Sequence, residues 1–180
     1  VVYTFSPGEI RHVHSVSADP FIDSRIWVTT GDEDGECRLL FTDDGFKNVK
    51  PSNTKLGQDY RVVNLGFTKD YLFYGTDSLI AKNSIFIQYR SDPRRVNVKS
   101  IKQTAWFLKQ DCKGNAVLGT TVENGRGCSV RYGSLMYTED DGLTWNSILN
   151  LYKDDWPMPL FKWGSFSLSN GHSKINELHV

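Results

Sequence analysis

Leu135-Met136-Tyr137-Thr138-Glu139-Asp140-Asp141-Gly142-Leu143-Thr144-Trp145 alternates apolar and polar side chains and then enters a Gly-containing reversal, the pattern of a half-buried strand running into a tight turn. The same shape occurs twice upstream. Leu39-Leu40-Phe41-Thr42-Asp43-Asp44 and Ile87-Gln88-Tyr89-Arg90-Ser91-Asp92 each carry an aliphatic residue, an aromatic two places later and a closing Asp, so that Asp44, Asp92 and Asp140 stand 48 residues apart. A fixed period of this length marks a repeat architecture, and the repeat has to be read before any single element.

Working outward, each of these third strands is preceded by a β-rich run: Ile26 to Thr30, Leu72 to Thr76 and Ala116 to Thr120. Earlier still, His12 to Ser17, Arg61 to Phe67 and Ala105 to Lys109 read as first strands, separated from the second by turns such as Asp19-Pro20 and Lys113-Gly114. Fourth strands are expected near Val49, over Val96 to Ser100 and over Trp145 to Leu149. Four short strands per unit form the meander of a propeller blade. The fold class is therefore all-β: a partial β-propeller of about three and a half four-stranded blades. The chain divides into blades at about 10–55, 56–103 and 104–153, with a half blade at 158–180 in which Phe161 to Leu168 and Lys174 to Val180 supply strands one and two.

The third copy resembles the Asp-box of sialidases and related propellers, Ser/Thr-x-Asp-x-Gly-x-Thr-Trp, through Thr138, Asp140, Gly142, Thr144 and Trp145. The first copy keeps Thr42 and Asp44 but has Phe46, Asn48 and Val49 in place of Gly, Thr and Trp, and the middle copy keeps only Asp92. The resemblance implies that the boxes sit at the turn between third and fourth strands, on the rim away from the central site, and that their role is structural. Physical chemistry agrees, because an Asp at a turn accepts backbone N–H bonds, Gly permits positive φ and Trp adds apolar area to wedge against a neighbouring strand. The sialidase arginine-isoleucine-proline motif is missing. Arg11 and Arg61 precede first strands, whereas a third arginine and a tyrosine-glutamate pair cannot be assigned.

The totals exclude several classes. Lys plus Arg equals Asp plus Glu at 21 each, so the electrostatic footprint of phosphate-backbone binding is missing and nucleic acid is not an expected partner. The apolar runs are far shorter than the roughly 18 to 20 residues that cross a bilayer, so no membrane partner is expected. Cys37, Cys112 and Cys128 are too few and too scattered for a disulfide framework, allowing at most one bridge. Val1 to Ile10 has neither a basic segment nor a long apolar one, so it does not read as a signal peptide, and the compartment stays open.

In a propeller the first strand begins, and the loop between second and third strands lies, at one face of the channel. That rule collects Arg11, His12, His14, Asp32, Asp34 and Glu36 from blade one. It collects Asp59, Arg61 and Asp77 from blade two and Glu123, Asn124 and Arg126 from blade three. His12 and His14 lie two apart on a strand and share a face, as acid/base groups, as metal co-ligands with a loop carboxylate, or as hydrogen-bonded histidines of the channel wall. The last is the preferred reading, so no metal and no cofactor is expected. Asp32-x-Asp34-x-Glu36 reads as a solvated acidic turn, because Gly35 is misplaced for a calcium loop. Trp106, Trp156 and Trp163 are either sugar-stacking platforms or core.

Three and a half blades cannot close a ring. One apolar blade face of about 400 Å² left in water would forgo on the order of 10 kcal/mol, comparable to a domain's whole stability. Either the chain is part of a longer propeller, or two copies pair as a homodimer in which Val1 to Phe5 adds an outer strand to the partner's unfinished blade. The functional expectation is a module that binds a glycan or other polar ligand at the channel face. A glycoside hydrolase or lyase of the sialidase-like kind and a structural assembly protein are the alternatives, so catalysis is left open.

Overall fold

The computed structural model describes residues 1–52, 55–92, 94–157, 159–161 and 164–168. The chain is all-β and forms a partial β-propeller. Its first sheet holds β1 (His12–Ala18), β2 (Ile26–Gly31), β3 (Arg38–Thr42) and β4 (Lys50–Pro51) in chain order. The second holds β5 (Gly66–Phe67), β6 (Tyr71–Gly75), β7 (Asn83–Tyr89) and β8 (Arg95–Ile101). The third is built on β9 (Thr104–Gln110), β10 (Ala116–Val122), β11 (Tyr132–Thr138) and β12 (Asn146–Tyr152). Every pairing is antiparallel, as hairpin connections of this length require.

Two expected strands differ. The segment Arg61 to Phe67 is not one strand: a single 3₁₀ turn at Gln58–Tyr60 is followed by an isolated bridge from Val62 to Thr76, and only Gly66–Phe67 pairs regularly. The reason is that this segment bonds forward to the third sheet. The Phe67 N–H donates to Gln110 Oε1 at 2.8 Å and the Asn64 side-chain amide donates to the Trp106 carbonyl at 2.6 Å. Further on, of the expected first strand of a fourth blade the described residues form only β13 (Gly164–Ser165), which pairs with the end of β10 and so extends the third sheet. Lys174 to Val180 lies outside the described residues, as does Trp163. Val1 to Phe5 joins no sheet and leaves Val1 and Val2 exposed.

Alternation along each strand sends successive side chains to opposite faces, and the second sheet is apolar on both. Leu72, Tyr74 and Phe86 pack with Trp27, Cys37 and Leu39 of the first sheet, while Phe73, Ile85, Ile87 and Ile101 pack with Ala105, Leu108, Leu118, Met136 and Trp145 of the third. Phe73 is closely approached by two glycines. A Cβ on Gly66 would meet its ring at 2.2 Å and one on Gly142 at 2.7 Å, so both glycines are set by this one side chain.

The turns after β3 and β11 make the same hydrogen bonds. Thr138 Oγ1 donates to Asp140 Oδ1 at 2.7 Å and accepts the Gly142 N–H at 3.1 Å; Asp140 in turn accepts the Thr144 N–H at 2.8 Å and its hydroxyl at 2.6 Å. In the first copy Thr42 Oγ1 accepts the Phe46 N–H at 3.1 Å, and Asp44 accepts the Asn48 N–H at 2.9 Å and the Asn48 side-chain amide at 2.7 Å. Asn48 thus replaces the Thr hydroxyl with an amide donor. Its two bonds hold the Asp44 carboxyl down at about 2. The turn needs two successive left-handed residues, Gly45 and Phe46 in one copy and Asp141 and Gly142 in the other, so the glycine has moved one place between them. Trp145 completes the third copy by donating its indole N–H to the Gly142 carbonyl at 2.8 Å.

The second sheet has no such box. Among the described residues Asp92 accepts from Arg94 alone, and the position of the box Thr is taken by Arg90, whose guanidinium reaches back to Asp19 of the first sheet in a bidentate pair, Nη2 to Oδ1 at 3.1 Å. Asp19 also accepts the Trp27 indole N–H at 2.8 Å, and its side chain is fully buried. The ion pair is therefore a clamp between sheets.

Asp140→Ala is expected to lower unfolding free energy by about 1 to 2 kcal/mol, since it removes charge-assisted bonds at a largely exposed turn. Asp92→Ala should change it by less than about 0.5 kcal/mol, and urea denaturation of the two variants checks the contrast. Arg90→Ala leaves the buried Asp19 carboxylate without its cation and is expected to cost about 3 kcal/mol; recovery of most of that loss in an Arg90→Met, Asp19→Leu double variant would identify the uncompensated charge as the cause.

Candidate functional site

Each sheet contributes one acid at the same end. Asp32 directly follows β2, Asp77 lies two residues past β6 and Glu123 directly follows β10, at spacings of 45 and 46 residues. Arg61 ties the first two together: its Nη2 is 3.1 Å from Asp32 Oδ1, and its Nε is 3.4 Å from Asp77 Oδ2 without hydrogen-bond alignment. Arg11 approaches the far side of Asp32 at 3.5 Å and Glu33 at 3.4 Å. Asp77 accepts the Trp106 indole N–H at 2.8 Å, and Glu123 accepts the Thr104 hydroxyl at 2.6 Å.

Two β-bulges aim the ring side chains. Pairing of β1 with β2 passes from Val13–Thr30 to Ser15–Thr29, skipping His14, and pairing of β9 with β10 passes from Phe107–Gly119 to Ala105–Thr120, skipping Trp106. A bulge rotates its extra residue out of the regular pleat, which is a common way to present a side chain at a site. His14 donates from Nδ1 to the Val62 carbonyl at 3.0 Å, so in the neutral ring Nε2 keeps its lone pair, 3.6 Å from Asp32 Oδ1. His12 Nδ1 lies 3.6 Å from Asp32 Oδ2, and the two imidazole centroids are 4.7 Å apart. Desolvation depresses the His14 pKa below its ordinary value against the pull of the Val62 carbonyl.

Burial acts hardest on Asp77. Its side chain is 7% exposed, and desolvation, opposed by the charge of Arg61 and assisted by that of Glu123, lifts the carboxyl to about 7. A buried acid at that value holds a proton at neutral pH in a large fraction of molecules, which equips it to donate as well as accept.

Of the residues collected from the sequence, the structure gathers Arg11, His12, His14, Asp32, Arg61 and Asp77 into one network, with Glu123 beside it. Asp34 and Glu36 are directed elsewhere. Glu36 Oε2 accepts the Asp32 N–H at 3.1 Å, and Asp34 Oδ1 accepts the Gln58 side-chain amide at 3.0 Å, so both hold the acidic loop in shape. Asp59 pairs with Arg95, while Asn124 and Arg126 lie exposed on the loop after β10. Trp156 is 62% exposed on the segment after β12. Sequence reasoning missed Thr104, the Val62 carbonyl and both bulges. The signal that carries the acids is their recurrence after each second strand at nearly the repeat period.

The three cysteines are free: Cys37 is buried, and desolvation pushes its thiol up to about 12. No protein-family model matches the chain, and no curated protein matches it. Among solved structures it is similar to a GH74 xyloglucanase from Xanthomonas campestris, at 16% identity with a TM-score of 0.51, covering 70% of this chain and 19% of the xyloglucanase. At that identity the likeness is one of fold.

Because the folded-state pKa of Asp77 is raised from the usual 3.8 to about 7, its contribution to stability is present in full below pH 3.8 and is lost as pH climbs toward 7. The carboxyl carbon of Asp77, followed by NMR, is expected to titrate near 7, and Asp77→Asn should flatten the fall in stability over that interval. A midpoint at an ordinary carboxylate value would show that the side chain is solvated.

Proposed function

We propose that this chain is a ligand-binding β-propeller module of the sialidase-like, Asp-box kind, which holds a glycan at the end of the sheets where Asp32, Asp77 and Glu123 stand. The observation that carries the reading is the pairing state of the cluster. Arg61 faces Asp32 and Asp77, and Arg11 faces Asp32 and Glu33, so both guanidinium groups are committed to carboxylates and neither is left to hold an anionic ligand. What it offers is a fixed array of hydrogen-bond donors and acceptors next to the half-buried ring of Trp106. Hydroxyl-rich, neutral sugars match such an array, because each hydroxyl both donates and accepts and the flat face of a pyranose covers an aromatic ring. The xyloglucanase likeness supplies the first probe, a xyloglucan oligosaccharide.

One observation favours glycoside hydrolysis as a second reading. Asp77, with its carboxyl at about 7, is suited to act as a general acid, and Asp32 and Glu123 flank it as candidates for the second carboxylate. The Asp-box residues Thr42, Asp44, Thr138, Asp140 and Trp145 take no part in either reading, being committed to their turns.

Assembly into a closed ring belongs to the same proposal. The outer strand β12 is exposed along its whole length and shows Ile148, Leu149, Leu151 and Tyr152, and at the other end of the series of sheets β1 exposes Val13 and Val16. Apolar rows at both ends support pairing with a second copy, in which Val1 to Phe5 is free to add a strand. Light scattering is expected to report a dimer at micromolar concentration, and a stable monomer would rule out this mode of closure.

Isothermal titration of xyloglucan oligosaccharides, backed by a glycan array, tests binding. Trp106→Ala and Arg61→Ala are each expected to weaken the bound glycan at least tenfold, whereas Asp34→Asn should leave it unchanged. Release of reducing sugar that stops in Asp77→Asn would move the assignment to hydrolase. A blank array together with no turnover would remove both readings.

A further inference from the structure

The clustering of two imidazoles and a carboxylate has a consequence that glycan binding does not use. One ligand atom each from His12, His14 and Asp32 lies within 4.8 Å of the other two. Around a tetrahedral zinc with bonds of about 2.0 to 2.1 Å, donor atoms stand roughly 3.4 Å apart. His12 Nδ1 lies 3.6 Å from Asp32 Oδ2 and His14 Nε2 lies 3.6 Å from Asp32 Oδ1, both near that spacing, and the half-exposed His12 side chain leaves room for a small adjustment.

We propose that His12, His14 and Asp32 form a three-ligand site for a divalent transition-metal ion, zinc by its donor set. Two nitrogens and one carboxylate oxygen suit zinc, cobalt(II) or nickel(II) and disfavour calcium, which takes six to eight oxygens. The groups behind the ligands are those that a metal site uses. The Val62 carbonyl accepts the Nδ1 hydrogen of His14, which orients the ring and turns the Nε2 lone pair toward Asp32. Arg61 Nη2 lies 3.1 Å from Asp32 Oδ1 and helps to fix the carboxylate.

The bulge at His14 gives a structural reason for the arrangement. It sets a side chain that is only 6% exposed against the loop acid, while His12 reaches the same acid from the strand end. Solvent reaches the group on the His12 side, where the side chain is 50% exposed. An ion bound there keeps a fourth position for water or a ligand oxygen, the arrangement of reactive rather than purely structural zinc sites. Of the two arginines on Asp32, Arg11 at 3.5 Å from Oδ2 has a side chain that is 60% exposed and is the one placed to swing away from an incoming ion, whereas Arg61 stays on Oδ1.

Titration of tag-free, chelator-treated full chain with zinc chloride and, separately, cobalt chloride tests the site. The expected result is one equivalent bound, with cobalt giving the intense visible bands of four-coordinate nitrogen and oxygen ligation. His12→Ala, His14→Ala and Asp32→Asn should each weaken binding at least tenfold, and Asp92→Asn, at the opposite end of the sheets, should leave it unchanged. His12→Ala is the decisive variant because its side chain is half exposed and its removal leaves the packing intact. Absence of binding, binding unaffected by His12→Ala, or a cobalt spectrum of the six-coordinate aqueous kind would each overturn the proposal. None of these readouts depends on whether a glycan binds.

Discussion

An antiparallel sheet that is apolar on both faces has to be covered twice, and in this chain the sheet that meets this demand is the second one. Phe73, Ile85 and Ile87 point one way and Leu72, Tyr74 and Phe86 the other, so the middle sheet is buried between its neighbours in chain order. The first and third sheets are positioned by that sandwich. Polar bonds also fasten sheet to sheet beside the apolar packing, among them Arg90 with Asp19, His14 with the Val62 carbonyl, Gln110 with Phe67 and Asn64 with the Trp106 carbonyl.

The candidate site is a by-product of the same stacking. Once three similar sheets stand side by side, the residue that follows each second strand comes to the same end, and an acid at that place in each repeat becomes a cluster of three. Clustered carboxylates raise one another's pKa unless cations intervene. Here Arg61 enters between Asp32 and Asp77, while Asp77, the most buried of the three, still holds its proton to about pH 7. Fold and chemistry therefore share one cause, and the box turns at the opposite ends of the third strands keep the sheets rigid enough for it.

The three box positions show how a repeat diverges without losing its shape. Asn48 replaces the Thr hydroxyl, Gly45 replaces the glycine one place earlier, and Phe46 accepts a left-handed conformation. In the middle repeat the box is given up altogether, and Arg90 serves as an inter-sheet clamp instead. In sequence only the third copy is complete, whereas the Thr and Asp hydrogen bonds of its turn recur in the first copy, without the indole bond of Trp145.

Period and alternation determined the sheets from sequence alone: strands in antiparallel meanders obey a two-residue rule that needs only local information, and Asp44, Asp92 and Asp140 mark where each third strand ends. The listing of Arg11, His12, His14, Asp32, Arg61 and Asp77 was legible for the same reason, since strand ends can be counted along the chain. Tertiary structure decided the rest. Only packing shows that Glu36 bonds its own loop and Asp34 bonds Gln58, that Trp106 and His14 are bulged residues, and that Arg61 bridges acids from two sheets. Those outcomes depend on which neighbour stands within a few ångströms across a gap between sheets, and that distance is set by the summed burial of both faces, which no local stretch of sequence records.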